Sequence, residues 1–105
     1  MAPKSIQQST ISMQSTLRAV NNQVSANLED EAVILNLTDG TYYGLNPVGT
    51  RIWALLQELR RVAEIRDILL AEYEVERGRC EEDLLKLLQD LASRGLIEVE
   101  NEPAP

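Results

Sequence analysis

A β-hairpin that leads directly into a helix is the feature that most constrains how this chain folds. Residues 32–46 read AVILNLTDGTYYGLN, two runs rich in β-branched and aromatic residues separated by Thr38-Asp39-Gly40. Glycine after aspartate between two such runs is typical of a hairpin turn. Asn46-Pro47 then predicts a helix start, because asparagine caps free amide groups and proline needs no hydrogen bond at the first helical position. The sequence therefore predicts two strands followed at once by a helix.

The length of the hairpin loop decides which side chains face the core. A two-residue turn at Asp39-Gly40 divides the apolar residues between both faces of the sheet. A three-residue loop at 38–40, with Gly40 in the left-handed region, gathers them on one face. We predict the three-residue loop, whose core-facing residues are Val33, Leu35, Leu37, Thr41, Tyr43 and Leu45. The opposite, more open face then carries Ile34, Asn36, Tyr42 and Gly44.

Three amphipathic helices are predicted after the hairpin from the spacing of apolar residues. The first spans about 46–59, and Trp53 on its flank is expected in the core. The second spans about 62–73, although no Ser, Thr, Asp or Asn precedes it as a cap. The third spans Cys80 to Arg94, with Cys80 as a small buried residue and Gly95 as the C-terminal stop.

Extended segments flank this central part of the chain. One or two strands are expected between Ile11 and Leu28, and a short strand follows Gly95. We predict a flexible segment at residues 1–15, one domain at 16–100 and a disordered tail at 101–105. Two or three strands, three helices and a terminal strand form an α+β unit that resembles a winged helix-turn-helix.

The composition argues against several classes of function. Cys80 is the only cysteine and there is no histidine, which removes disulfides, the usual zinc sites and imidazole catalysis. We therefore expect a non-enzymatic protein without a metal or cofactor.

The charge and hydropathy of the chain bear on its partners and location. A net charge of −7 opposes binding to nucleic acid. The apolar runs are far shorter than the ~20 residues of a membrane helix. The first residues lack a signal peptide, so a cytoplasmic protein is expected.

Three segments in order, LNLTDGTYYGLNPVGTRIWALL, VAEIRDILLAEYEV and CEEDLLKLLQDLASRGLI, resemble the PqqD-like family. Its members are small peptide-recognition proteins, or RiPP recognition elements, of ribosomal peptide biosynthesis. The likeness covers roughly residues 24–99 and implies a three-stranded antiparallel sheet packed on three helices. The chain departs from the family at Arg60-Arg61, where relatives often carry a threonine cap.

The resemblance implies binding of a precursor's leader peptide. The leader adds as a further strand beside the third strand, here Thr41 to Leu45, and lies against the third helix. The segment YYGLNPVG resembles the corresponding segment of stand-alone proteins from lasso-peptide pathways. These proteins work with a transglutaminase-like leader protease and a cyclase. The alternative is a chaperone for another peptide-modifying enzyme, such as the radical enzyme that the founding member serves in pyrroloquinoline quinone synthesis. A monomer is expected in either case.

Ten residues form the predicted peptide-binding site. They are Thr41, Tyr42, Tyr43, Gly44 and Leu45 on the hairpin, and Asp83, Leu84, Lys86, Leu87 and Asp90 on the third helix. The third helix has two flanks, one with Asp83, Lys86 and Asp90 and the other with Glu81, Leu85 and Ala92. Periodicity alone leaves open which of the two borders a groove. Family members commonly carry an acidic residue at the position of Asp83, which favours the first flank.

An enzyme, a DNA-binding protein and an adaptor are the alternative functions. An enzyme would need a convergent acid, base or nucleophile, and the sequence offers only scattered surface carboxylates. A winged-helix DNA-binding protein would read bases with the third helix, but acidic residues outnumber basic ones on that helix and would repel phosphate. An adaptor that binds its partner enzymes but no free peptide is the third alternative. The edge strand favours peptide binding, because its unpaired N–H and C=O groups can pair with an extended chain.

Overall fold

The computed structural model describes residues 11–21, 23–28 and 31–100, and the predicted α+β class is confirmed. The elements in chain order are β1 (Thr16–Ala19), β2 (Gln23–Leu28), β3 (Glu31–Asn36), β4 (Tyr42–Leu45), α1 (Pro47–Leu55), β5 (Arg60–Arg61), α2 (Val62–Glu72), α3 (Arg77–Ser93) and β6 (Ile97–Val99). The core between them is aliphatic, and its most deeply buried side chains are Leu17, Ile34, Leu56, Val62, Ile65, Leu84, Leu88 and Leu91. Trp53 and Cys80 are buried, as predicted.

The described residues form two three-stranded antiparallel sheets. The hairpin sheet has the order β2-β3-β4 and is the sheet that the sequence predicts. The terminal sheet has the order β5-β1-β6, and it was not predicted as a sheet. Its strands have two to four residues and come from distant parts of the chain, so they are too short for an alternation of apolar residues to predict them.

The hairpin loop is one residue longer than predicted. The N–H of Asn36 donates to the carbonyl of Thr41 at 2.9 Å, so the loop comprises residues 37–40. Gly40 has a φ of 74°, in the left-handed region as predicted. The added residue moves the register so that Ile34 lies opposite Tyr43 and Ala32 opposite Leu45.

This change of register reverses the predicted faces of β3. Ala32, Ile34 and Asn36 are buried, whereas Val33 and Leu35 face outward and Leu37 is 53% exposed. A shift of one residue moves every side chain of a strand to the other face. The predicted faces of Tyr42, Tyr43, Gly44 and Leu45 are correct, because Leu45 is buried, Tyr43 is half-buried, and Tyr42 and Gly44 are exposed. Thr41, which was also predicted to face the core, is exposed because it lies next to the longer loop.

The helix ends follow local hydrogen bonds. Asn46 caps α1 by accepting from the N–H of Gly49 at 2.8 Å, as predicted, although α1 ends at Leu55 rather than Leu59. Helix α3 begins three residues before the predicted start. It ends at Ser93, Gly95 follows in the left-handed conformation as the predicted stop, and the N–H of Leu96 donates to the carbonyl of Leu91 at 3.0 Å.

Residues 11–15 belong to the folded unit and not to a flexible segment. Ile11 is buried, and the carbonyl of Ser15 accepts from the N–H of Val62 at 2.9 Å. The carbonyl of Met13 accepts from the N–H of Ala63 at 3.0 Å. These carbonyls replace the side-chain cap that α2 lacks. The predicted boundary between residues 15 and 16 is therefore wrong, and residues 1–10 and 101–105 lie outside the described part.

Candidate functional site

An open groove of about 690 Å³ lies between β4 and α3. The strand contributes Tyr43, Gly44 and Leu45, and α3 contributes Cys80, Asp83, Leu84, Lys86, Leu87 and Asp90. The groove continues past the start of α1, lined by Asn46, Val48, Gly49 and Ile52. Its far end is formed by α2 and the connector to α3, through Leu69, Tyr73, Glu74 and Val75. One wall is thus a strand and the other a helix.

Eight of the ten predicted site residues line this groove, and two do not. Thr41 lies between the loop and β4, and Tyr42 is 71% exposed on the opposite face of the sheet. On α3 the groove borders the flank that carries Asp83, whereas Glu81, Leu85 and Ala92 lie away from it. The structure therefore brings the two predicted halves of the site together, and peptide binding by them stays a prediction.

The α1 and connector side of the groove was missed by sequence reasoning. Val48 and Val75 are each 39% exposed there, so this side of the groove presents apolar surface. The start signal Asn46-Pro47 directly after β4 could have indicated that the first turn of α1 borders the strand. The connector carried no such signal, since its charged residues are typical of any surface loop.

Tyr43 joins the two walls of the groove. Its hydroxyl donates to Oδ2 of Asp90 on α3 at 2.6 Å. The guanidinium carbon of Arg94 lies 4.9 Å from the centre of the Tyr43 ring, and Nε of Arg94 lies 3.4 Å from Oδ1 of Asp90. This cluster fixes the distance between β4 and α3, and therefore the width of the groove at that end.

The Tyr43 hydroxyl stays protonated over the whole neutral range. Burial, together with the hydrogen bond to Asp90, raises the pKa of Tyr43 to about 12, against a smaller opposing effect of Arg94. A tyrosine that keeps its proton can donate to a carboxylate without interruption. The cross-link between strand and helix is therefore insensitive to pH near neutrality.

The free edge of β4 runs along the groove. In an antiparallel pair, residues alternate between hydrogen-bonded and non-hydrogen-bonded positions. Because Asn36 bonds to Thr41, the hydrogen-bonded pairs of β4 are at Tyr43 and Leu45. The N–H and C=O groups of Tyr42 and Gly44 therefore point away from β3 towards the open edge. A Cβ atom at Gly44 would meet no other atom within 4 Å.

The titratable side chains that line the groove are Tyr43, Tyr73, Glu74, Cys80, Asp83, Lys86 and Asp90. Burial raises the pKa of the Cys80 thiol, helped by the nearby charge of Glu81, so the thiol is not activated as a nucleophile. Arg79 lies 3.6 Å from the carboxylate of Asp83 at the exposed rim. Among residues 11–21, 23–28 and 31–100, no group of three or more Cys, Asp or Glu side chains could hold a metal ion. The same residues include no helix long and apolar enough to cross a membrane.

Comparison with known proteins adds a family and a structural neighbour. The family described as coenzyme PQQ synthesis protein D (PqqD) matches residues 31–97, which hold β3, β4 and all three helices. A solved structure described as TbiB1 in complex with the TbiA(beta) leader peptide has a TM-score of 0.71 and 44% sequence identity. The match covers 83% of this chain and 99% of that chain. No curated protein sequence shows significant similarity.

Proposed function

Because this chain belongs to the PqqD family, we propose that its groove binds the leader segment of a ribosomally made precursor peptide. The observation that carries the proposal is the free edge of β4 beside an open groove lined by α3. The 44% identity with TbiB1, which was solved with a leader peptide, supports this assignment.

The leader binds by adding a fourth strand to the hairpin sheet at β4. Its backbone pairs with the N–H and C=O groups of Tyr42 and Gly44, the two β4 residues that face the open edge. Such pairing is independent of the leader's side chains, so selectivity comes from the groove. Alternate leader side chains face Leu84 and Leu87 on α3, and the apolar end near Val48 accommodates a further apolar side chain.

The protein acts as a binding partner and not as a catalyst in this proposal. Its groove offers apolar residues, a protonated thiol and rim charges, but no convergent acid, base or activated nucleophile among the described residues. The chemistry on the precursor is therefore performed by separate enzymes. We assign the chain to a lasso-peptide type of pathway, in which it works as a cytoplasmic monomer and presents the leader to a transglutaminase-like protease and a cyclase.

The test is a titration of the full chain with labelled synthetic leader peptides from the neighbouring precursor gene, followed by fluorescence anisotropy. We expect a dissociation constant in the micromolar range or below. Asp83→Lys should weaken binding by about tenfold, or 1.4 kcal/mol, because Asp83 lines the groove. Glu82→Lys makes the same charge change on the neighbouring residue, which lies outside the groove, and should have little effect.

Two results would contradict the proposal. Absence of binding at about 100 µM to every leader would exclude a recognition function of useful affinity. Equal weakening by Asp83→Lys and Glu82→Lys would show a general effect of charge and would move the site away from this groove.

A further inference from the structure

The outward face of the hairpin sheet is apolar. We define the outer sheet face by six residues in two cross-strand rows, Val24–Leu35–Tyr42 and Ala26–Val33–Gly44. Val24 is 52% exposed and Tyr42 is 71% exposed. Strands that face water on one side usually carry polar residues there, so an apolar row at this position needs an explanation.

No layer of described structure covers this face. Helix α1 packs against β3 and β4 from the other side, where Ala32, Ile34 and Leu45 are buried. Val33 and Leu35 are half-buried by their neighbours in the sheet, but they do not belong to the side chains packed against the core. A contiguous apolar patch of this kind on a small domain marks an interaction surface.

The charge around the outer sheet face is acidic. The sequence holds no Lys or Arg between Arg18 and Arg51, whereas it holds four acidic residues in that stretch. Two of them border the hairpin at opposite ends, Glu31 at the start of β3 and Asp39 in the loop, and both are exposed. A second copy of the chain would meet this rim with the same charge, which disfavours self-association. A partner with an apolar patch bordered by Lys and Arg is complementary to it.

We propose that the outer sheet face docks the leader protease, through an apolar surface of that enzyme bordered by basic residues. The inference rests on the proposed function, because an enzyme partner presupposes a role in peptide modification. Leader and enzyme then use different parts of one sheet, the leader at the edge of β4 and the enzyme at the outward face. Both can be bound at once, which is the requirement for presenting a substrate.

The leader site and the docking face can be separated at Val24. This residue lies on β2, the strand of the hairpin sheet farthest from the β4 edge, and it does not line the groove. The full chain and its Val24→Arg variant are each titrated with the purified leader protease of the same gene cluster by calorimetry, and with the labelled leader peptide. Val24→Arg should weaken enzyme binding by more than about tenfold and leave leader binding unchanged.

Three further substitutions sharpen the design. Val24→Thr keeps the β-branched shape and should change enzyme binding by less than about threefold. Val24→Glu places a negative charge opposite the expected basic rim and should weaken binding less than Val24→Arg. Ala26→Arg, in the neighbouring row of the outer sheet face, should reproduce the result of Val24→Arg, and circular dichroism checks that each variant is folded.

The outcomes distinguish the two proposals. A wild-type chain that binds no leader overturns the proposed function. A chain that binds leader, and whose Val24→Arg and Ala26→Arg variants bind the protease as well as wild type, overturns the docking face alone. Sedimentation tests whether a second copy of the chain occupies the face instead. If the wild type is a dimer, and Val24→Arg makes it a monomer that still binds the protease, the face belongs to a second copy and the inference is overturned.

Discussion

At the scale of single residues, Tyr43 connects folding with the proposed binding. Its backbone belongs to the strand that forms one wall of the groove, and its hydroxyl bonds to Asp90 on the helix that forms the other. A half-buried hydrogen bond to a carboxylate is stronger than one between neutral groups. The stability of the fold and the width of the groove therefore depend on the same contact.

Replacing Tyr43 by phenylalanine removes the hydroxyl and little else. We expect the free energy of unfolding to fall by about 1 to 2 kcal/mol, because Asp90 loses its hydrogen-bond donor. Urea denaturation followed by the fluorescence of the buried Trp53 measures this change. Tyr42→Phe is the matched control, since Tyr42 is exposed and its loss should cost less than about 0.5 kcal/mol. Equal stability of the two variants would show that the bond to Asp90 contributes nothing.

The raised pKa of Tyr43 also predicts how stability changes with alkaline pH. Burial raises this pKa from 10.0 to about 12, so the folded chain holds a proton that the unfolded chain releases. The associated stabilisation is complete below pH 10 and is lost as the pH rises to about 12. The tyrosinate absorbance of the wild type minus that of Tyr43→Phe should develop near pH 12. Development of this difference near pH 10 would contradict the assignment.

At the scale of elements, the register of β4 predicts which amide group the leader uses. Gly44→Pro removes an N–H that faces the open edge, so the β3–β4 pairing and the fold should survive. Leader binding should weaken by about tenfold or more, because one backbone hydrogen bond is lost and the proline ring occupies the edge. Gly44→Ala keeps the N–H and adds a Cβ into open space, so it should bind within about threefold of wild type.

The anisotropy titration with labelled leader measures both variants, and thermal melts check the fold. Strand addition at this position would be disproved if Gly44→Pro bound the leader as tightly as Gly44→Ala. If both variants lost binding while remaining folded, the leader would require the bare glycine and not the amide group.

The elements that sequence reasoning predicted correctly are those fixed by neighbouring residues. The cap at Asn46 and the left-handed Gly40 depend on contacts within a few positions of the chain. The faces of β3 were wrong because the loop length depends on Asn36, whose side chain accepts from the N–H of Thr38 and donates to the carbonyl of Arg94. Arg94 is 58 positions away, and no local pattern shows that bond.

The residues of the candidate site also divide into those that the sequence could indicate and those that depend on the tertiary fold. Its β4 and α3 residues could be proposed because the family resemblance and helical spacing indicated them. The apolar end near Val48 and Tyr73 depends on how α1 and α2 are placed in space. The spacing of apolar residues shows that each helix has a buried face, but it does not show which helices meet at a groove.

At the scale of the whole molecule, the two ends of the described chain hold the domain together. Strand β1 pairs with β6, which places Leu17 opposite Val99, and with β5 in the same sheet. The residues before β1 supply the carbonyl groups that cap α2. The N-terminal part of the described chain is therefore structural, and the groove on α3 depends on it through the packing of α2 against α3.

Ile11→Ala in the full chain tests this structural role. Ile11 is 5% exposed, so its truncation leaves a cavity in the core. The truncation also weakens the packing of the segment whose carbonyl groups cap α2. We expect the free energy of unfolding to fall by about 2 to 4 kcal/mol, the range for large-to-small core substitutions. Leu37→Ala is the control, because Leu37 is 53% exposed in the hairpin loop and should cost less than about 0.5 kcal/mol. Urea denaturation followed by Trp53 fluorescence compares the two variants. Equal denaturation midpoints would contradict the structural role and would support a domain that begins at residue 16. A loss confined to Ile11→Ala shows instead that the folded unit includes the segment before β1, because a flexible segment has no buried side chain to lose.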